Sequence, residues 1–190
     1  INVSPLSAEP EKRGVLCFDV NEQGLIAIGQ TGSQDKEICV YTSQGEFLYG
    51  YTFNCTQSFC VEWDEQHVNI YFIRSDVIIS LDSDGNILDI KAVQDTIDNN
   101  SYRNSLLYST TRTVGNTTYL IRNDMGIFNW IATSYSQIVT IDATGSESII
   151  YDVNSMQLTK TIVTISLICV FVFVAVAVVI WQFIKLRRGN

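Results

Sequence analysis

The sequence predicts an all-β domain of antiparallel repeats, about three units long, followed by one C-terminal transmembrane α-helix. Three observations lead there. Short apolar or alternating runs recur every ~8–12 residues between turn signals. A pattern of about 40 residues returns along the chain, the mark of a repeated supersecondary unit. The last 30 residues hold an uncharged apolar run, long enough to cross lipid.

Taken in order, residues 1–13 (INVSPLSAEPEKR) read as an irregular lead-in. The runs at 15–20, 25–30, 37–42, 46–53, 59–64, 68–74, 77–81 and 87–93 read as strands, being rich in β-branched and aromatic residues. A polar stretch at 94–104 interrupts them, and 106–114, 117–122, 137–142 and 147–151 continue the series. Residues 124–136, with Met125, Phe128 and Trp130, fit no element. Between the runs stand Ser43-Gln44-Gly45, Ser83-Asp84-Gly85-Asn86, Val114-Gly115-Asn116 and Ala143-Thr144-Gly145. Each brings the glycine that a tight turn needs where φ becomes positive.

The repeat is visible residue by residue. Cys17-Phe18-Asp19-Val20-Asn21-Glu22-Gln23 aligns with Cys60-Val61-Glu62-Trp63-Asp64-Glu65-Gln66 at an offset of 43. The turn at 41–47 returns at 81–87, an offset of 40, and again at 141–147, a further 60 on. Each unit reads as four short antiparallel strands. With the hairpin from Cys39-Val40-Tyr41 through Gly45 to Phe47, the units resemble β-propeller blades of the NHL or quinoprotein-like sort over roughly residues 14–151. Propellers close with about 4–8 blades, so three units are expected to leave open strand edges. Three outcomes are open: a segment upstream adds blades, partner subunits complete a ring, or the domain is a smaller meander or sandwich. The irregular lead-in 1–13 favours the last two.

From Ile162 to Trp181 the chain reads IVTISLICVFVFVAVAVVIW, without a charged residue. At ~1.5 Å per residue this helix covers about 30 Å, the thickness of a hydrocarbon core. Val and Ile favour strand in water, but in lipid each N–H must be satisfied within its own segment, and helix wins. Trp181 sits where an interfacial aromatic belongs, and Lys185, Arg187 and Arg188 follow. Upstream, Lys160 stands against Glu147 and Asp152. The positive-inside rule then places the tail 185–190 in the cytoplasm. Residues 154–184 become the juxtamembrane and spanning segment of a single-pass cell-membrane protein, with 14–153 extracytoplasmic. A basic cluster after the run marks a retained anchor and not a GPI signal. Because the chain begins at Ile1, a signal peptide or an earlier span is expected upstream.

The net charge of −8 divides unevenly. Residues 1–160 carry 20 acidic against nine basic side chains, a net −11. Such a domain repels phosphates, so no nucleic-acid partner is expected. The expected partners are the lipid bilayer and another protein, or a second copy of the chain.

Few residues suggest chemistry. Cys17, Cys39, Cys55 and Cys60 fall in the outer domain, and a Cys55–Cys60 disulfide is among the pairings open to them. Cys17 and Cys60 occupy equivalent repeat positions, which favours small buried core residues. No C-x-x-C spacing occurs and His67 is the only histidine, so neither zinc nor a His-dependent triad is expected. Glu62 and Asp64 are the nearest thing to a carboxylate dyad. Asp82-Ser83-Asp84-Gly85-Asn86 resembles part of a calcium loop, but Val93 stands where a bidentate Glu is required, and a hairpin turn is expected instead. Tyr49, Tyr51, Trp63, Tyr71, Tyr108, Trp130 and Tyr135 read as packing residues before they read as a groove. No cofactor is expected. The sequence therefore points to a non-enzymatic, membrane-anchored β-repeat binding module, with an anchored carboxylate-dependent hydrolase and a structural subunit of a larger membrane complex as the alternatives.

Overall fold

The computed structural model describes residues 2–32 and 35–188, and of Arg187 only its backbone. The chain divides into two units, Ile1–Asn154 and Ser155–Asn190. The first is built from three antiparallel sheets that follow one another in sequence. Sheet one contains β1 (Val3–Pro5), β2 (Val15–Val20), β3 (Ile26–Thr31), β4 (Lys36–Tyr41) and β5 (Phe47–Phe53) in the order β1-β5-β4-β3-β2. Sheet two is the meander β6 (Phe59–Asp64), β7 (His67–Phe72), β8 (Val77–Leu81), β9 (Ile87–Ala92). Helix α1 (Ile97–Tyr108) precedes sheet three, the meander β10 (Thr111–Val114), β11 (Thr117–Arg122), β12 (Gln137–Ile141), β13 (Glu147–Asp152).

The all-β domain with one C-terminal apolar helix is thus present, and most strands lie within a residue or two of the expected runs. Three segments add detail. Within the lead-in, Val3–Pro5 pair with Tyr51–Phe53 as a fifth strand of sheet one. The run expected as strand from 106 begins only at Thr111, because α1 takes the polar stretch before it. Thr96 accepts from Asn99 N at 3.2 Å and starts that helix, while Leu106 and Leu107 pack on the core and hold it. The unassigned 124–136 contains a 3₁₀ turn, Gly126–Ile131.

The repeated turn is the same object in all three sheets. Thr42 Oγ1 accepts from Gln44 N and Glu46 N, both at 3.2 Å. Asp82 Oδ1 accepts from Asp84 N at 3.0 Å and Asn86 N at 2.8 Å. Asp142 Oδ1 accepts from Thr144 N at 2.8 Å and Ser146 N at 2.9 Å. Gly45, Gly85 and Gly145 close these turns at φ of 83°, 84° and 82°. The loop that resembled a calcium site is one of the three: its carboxylate is spent on turn N–H groups, and the Asn86 amide above all holds Asp82 below the usual carboxylate pKa.

The sheets pack through aromatic contacts. Phe53 of sheet one meets Phe59 and Phe72 of sheet two edge-on, with centroids 5.2 and 5.7 Å apart. Each ring, buried, contributes about 1.5–3 kcal/mol. Cys17 and Cys60 lie in this same core, as their repeat equivalence suggested. On the other side Tyr41 meets Tyr151 of sheet three at 5.6 Å. The Tyr151 hydroxyl donates to the buried Gln30 Oε1 at 2.9 Å and accepts from Arg13 N at 2.9 Å. That satisfies the Tyr151 hydroxyl and the Gln30 amide oxygen, while the buried Tyr41 hydroxyl has no hydrogen-bond partner among the described residues.

The second unit belongs to α2 (Asn154–Arg188). Its stretch Asn154–Leu186 is long and apolar enough to cross a membrane, and none of its apolar window is buried by protein. Inside it the Thr164 hydroxyl donates to Lys160 O at 2.8 Å, so that weakly polar residue leaves no unpaired donor in the apolar stretch.

Candidate functional site

The first strand of each four-stranded unit lies at a sheet edge: β2, β6 and β10 are all edge strands, and β6 and β10 both pack against β2. The repeat therefore brings equivalent residues together. Asp19 of β2 is the repeat partner of Glu62 in β6. Glu62 and Arg112 each stand two residues before the end of a first strand that turns back through two residues, with Asp64 opposite His67 and Val114 opposite Thr117. Two carboxylates and one guanidinium thus meet where the three sheets meet.

Asp19 is the hub. Its Oδ2 accepts the Trp63 backbone N–H at 2.7 Å and its Oδ1 accepts Arg112 Nε at 2.6 Å. Both side chains of this ion pair are largely buried. The Arg112 guanidinium lies over the Phe18 ring, 5.3 Å from its centroid, and its Nη1 donates to Thr111 O at 2.9 Å. Its Nη2 and the Trp63 indole Nε1 are buried with no hydrogen-bond partner among the described residues.

Glu62 has a different character. Burial, first, and then the neighbouring Asp19 and Asp64 charges push its carboxyl up to about 7, with Arg112 offsetting part of the rise. Tyr102 of α1 donates its hydroxyl to this carboxylate. α1 is itself held against sheet two by Arg103 Nη1, 2.8 Å from Asp76 Oδ1. Beside Tyr102 opens a cleft of about 430 Å³, lined by Tyr71, Ile78, Lys91, Asn99 and Gln94 among others. The arrangement supplies one carboxyl able to take or give a proton near neutrality. Asp19, fully engaged as an acceptor, is occupied in joining strands.

The residues singled out from sequence fall elsewhere. Ile162 and Trp181 bound the exposed apolar run of α2, and Lys185 Nζ sits 5.4 Å from the Trp181 ring centroid. Arg188 is in the last turn of that helix, while the Arg187 side chain lies outside the described atoms. Cys55 and Cys60 are both free thiols. Cys55 donates to Gln57 O at 3.5 Å, whereas burial raises Cys60 to about 12 and keeps it protonated. His67 opens β7 in an exposed position. Among the described residues no three His, Cys, Asp or Glu side chains gather as a metal site requires.

Asp19, Arg112 and Tyr102 were missed by sequence reasoning. The repeat alignment of Asp19 with Glu62 was the available signal for the first. Nothing in the sequence announced the other two, which arrive from segments 40 or more residues away. No protein-family profile and no curated protein matches this chain.

Proposed function

We propose that this chain is a single-pass membrane protein whose β-repeat domain, with blades of the NHL or quinoprotein-like propeller sort, lies outside the cytoplasm and binds another protein chain. The basic residues after the apolar run support the orientation. The repeated four-stranded meander with its common turn supports the blade reading.

One observation carries the partner. β9 ends sheet two, and all six of its residues are exposed, including Ile87, Leu88 and Ile90. An edge strand carries unpaired backbone groups along one side, and apolar edges are normally shielded by charge, proline or a covering element. Asp89 and Lys91 put charge on β9 beside Ile87, Leu88 and Ile90, so the edge is shielded only in part. An open, partly apolar edge suits pairing with an incoming strand, which supplies backbone hydrogen bonds and side-chain pockets together. The first partner to test is a second copy of this chain. Light scattering of the full chain in detergent should give a mass that rises with concentration. Ile90→Lys should hold it at the monomer. A monomeric mass for both at every concentration contradicts the self-pairing reading.

A second reading rests on Glu62. A carboxyl raised to about 7 beside another carboxylate suits acid–base work by an anchored hydrolase. Turnover of ester or glycoside probes that disappears in Glu62→Gln and survives in His67→Ala would support it. Activity equal in wild type and Glu62→Gln would end it.

A further inference from the structure

We propose that the 3₁₀ turn Gly126–Ile131 makes a second, shallow membrane contact, with Ile127 and Trp130 entering the headgroup layer of the bilayer that α2 spans. The inference rests on the reading of α2 as a membrane span.

The turn presents apolar surface without collapsing onto the domain. Ile127 is 79% and Trp130 83% exposed, while Met125 is turned inward at 4%. Asn129 fixes this arrangement. Its Oδ1 accepts Met125 N at 2.8 Å and its Nδ2 donates to Asn123 O at 3.3 Å. Phe128 N and Ala132 N donate to Met125 O and Asn129 O, at 3.2 and 3.3 Å. Two large apolar side chains are thus held outward by a turn that already meets several of its own backbone needs. Water gains nothing from that geometry.

Both ends of the segment are clamped to the last residues of the domain. Asn154 Nδ2 donates to Asp124 O at 2.6 Å. The Ser136 hydroxyl lies 3.1 Å from Asn154 Oδ1, and Val153 N donates to Ser136 O at 2.9 Å. Asn154 is also the first residue of α2. From there to Ile162 the chain runs eight helical residues, about 12 Å along the axis. The headgroup layer takes up roughly 5–7 Å of that length. A segment fastened at residue 154 is therefore tethered by a short length of helix only, which limits how far the turn can stand from the headgroups.

The chemistry fits one lipid class. From Met125 to Ile141 the sequence has no charged residue, so entry of the turn buries no ion. Tryptophan is favoured at this depth because its ring is apolar and its N–H finds a partner in the wet interface. The net −11 of residues 1–160 opposes anionic headgroups, which leaves a zwitterionic surface as the occupant.

The test reconstitutes the full chain and its Trp130→Phe variant in phosphatidylcholine vesicles, with doxyl labels placed shallow or deep in the acyl chains. The difference between the two emission spectra isolates Trp130 without altering Trp63 or Trp181. The proposal expects that difference to be blue-shifted, strongly quenched by the shallow label and little affected by aqueous iodide. It is overturned if Trp130 is quenched freely by iodide and untouched by the doxyl lipids. It is equally overturned if Trp130 resists both, because a protein surface then covers the turn. The Trp130→Phe spectrum controls for the anchor: quenching of Trp181 by lipid labels shows α2 embedded whatever Trp130 does, and its absence would remove the span as well. Ile127→Ser, which keeps the indole, should shift the Trp130 emission toward the red. An unchanged emission in Ile127→Ser would count against the joint insertion of the two side chains.

Discussion

Arg112 Nε donates to Asp19 Oδ1 at 2.6 Å across 93 residues of chain, and the same carboxylate accepts the Trp63 N–H at 2.7 Å. One side chain thereby ties β2, β6 and β10, one strand from each of the three sheets. Removing it leaves a largely buried guanidinium and a backbone donor without their acceptor. Asp19→Ala should cost about 3–5 kcal/mol. The double variant Asp19→Asn with Arg112→Met should lose less than the sum of its parts, since neither member of the ion pair is left charged without the other. Denaturant melts of the full chain in detergent, followed by circular dichroism, would measure both. A loss below about 1 kcal/mol for Asp19→Ala would show that the sheets do not depend on this junction.

Glu62 gives stability an unusual pH dependence. Its folded pKa, about 7, lies above the ordinary value of 4.5, so the folded state holds the proton more tightly. The contribution is complete below about pH 4.5 and is lost as pH rises through 7. With the side chain only half buried, solvent screening reduces the expected effect to about 1–2 kcal/mol. Glu62→Gln should flatten the melting temperature between pH 5 and 8, a window of about three units set by that shift. A slope identical to wild type would mean that Glu62 titrates normally.

Two glycines in the same turn type separate backbone strain from packing. Gly45 and Gly145 have φ of 83° and 82°. A Cβ on Gly145 meets nothing within 4 Å, whereas on Gly45 it would lie 2.4 Å from the Ile150 carbonyl oxygen of β13. Gly145→Ala should cost only the left-handed penalty, about 1–2 kcal/mol. Gly45→Ala should cost clearly more, because backbone of sheet one must withdraw from backbone of sheet three. Equal losses in a thermal melt would place those two sheets further apart than described.

The strands were legible because each is a short local pattern of apolar residues closed by a turn with its own chemistry. The Thr42, Asp82 and Asp142 turns were legible as a repeat because the side chain that caps each turn lies within four residues of the N–H groups it serves. α1 was not, since it buries none of its residues and its amphipathic signal is weak. Only the Thr96 cap and the Leu106-Leu107 pair distinguish it from loop. The cluster of Asp19, Glu62 and Arg112 was invisible for another reason. Its members join through tertiary packing of strand edges, and no local spacing encodes which edge meets which. Half of the signal was nonetheless present, in the alignment of Asp19 with Glu62.

The proposed orientation of the β-repeat domain underlies the whole account, and native lysines report it. An amine reagent that cannot cross membranes, applied to intact cells and read by peptide mass spectrometry, should label Lys36 and the exposed Lys91. Lys185 should react only after permeabilisation. Labelling of Lys185 in intact cells, with Lys36 and Lys91 protected until the membrane is opened, would contradict the account.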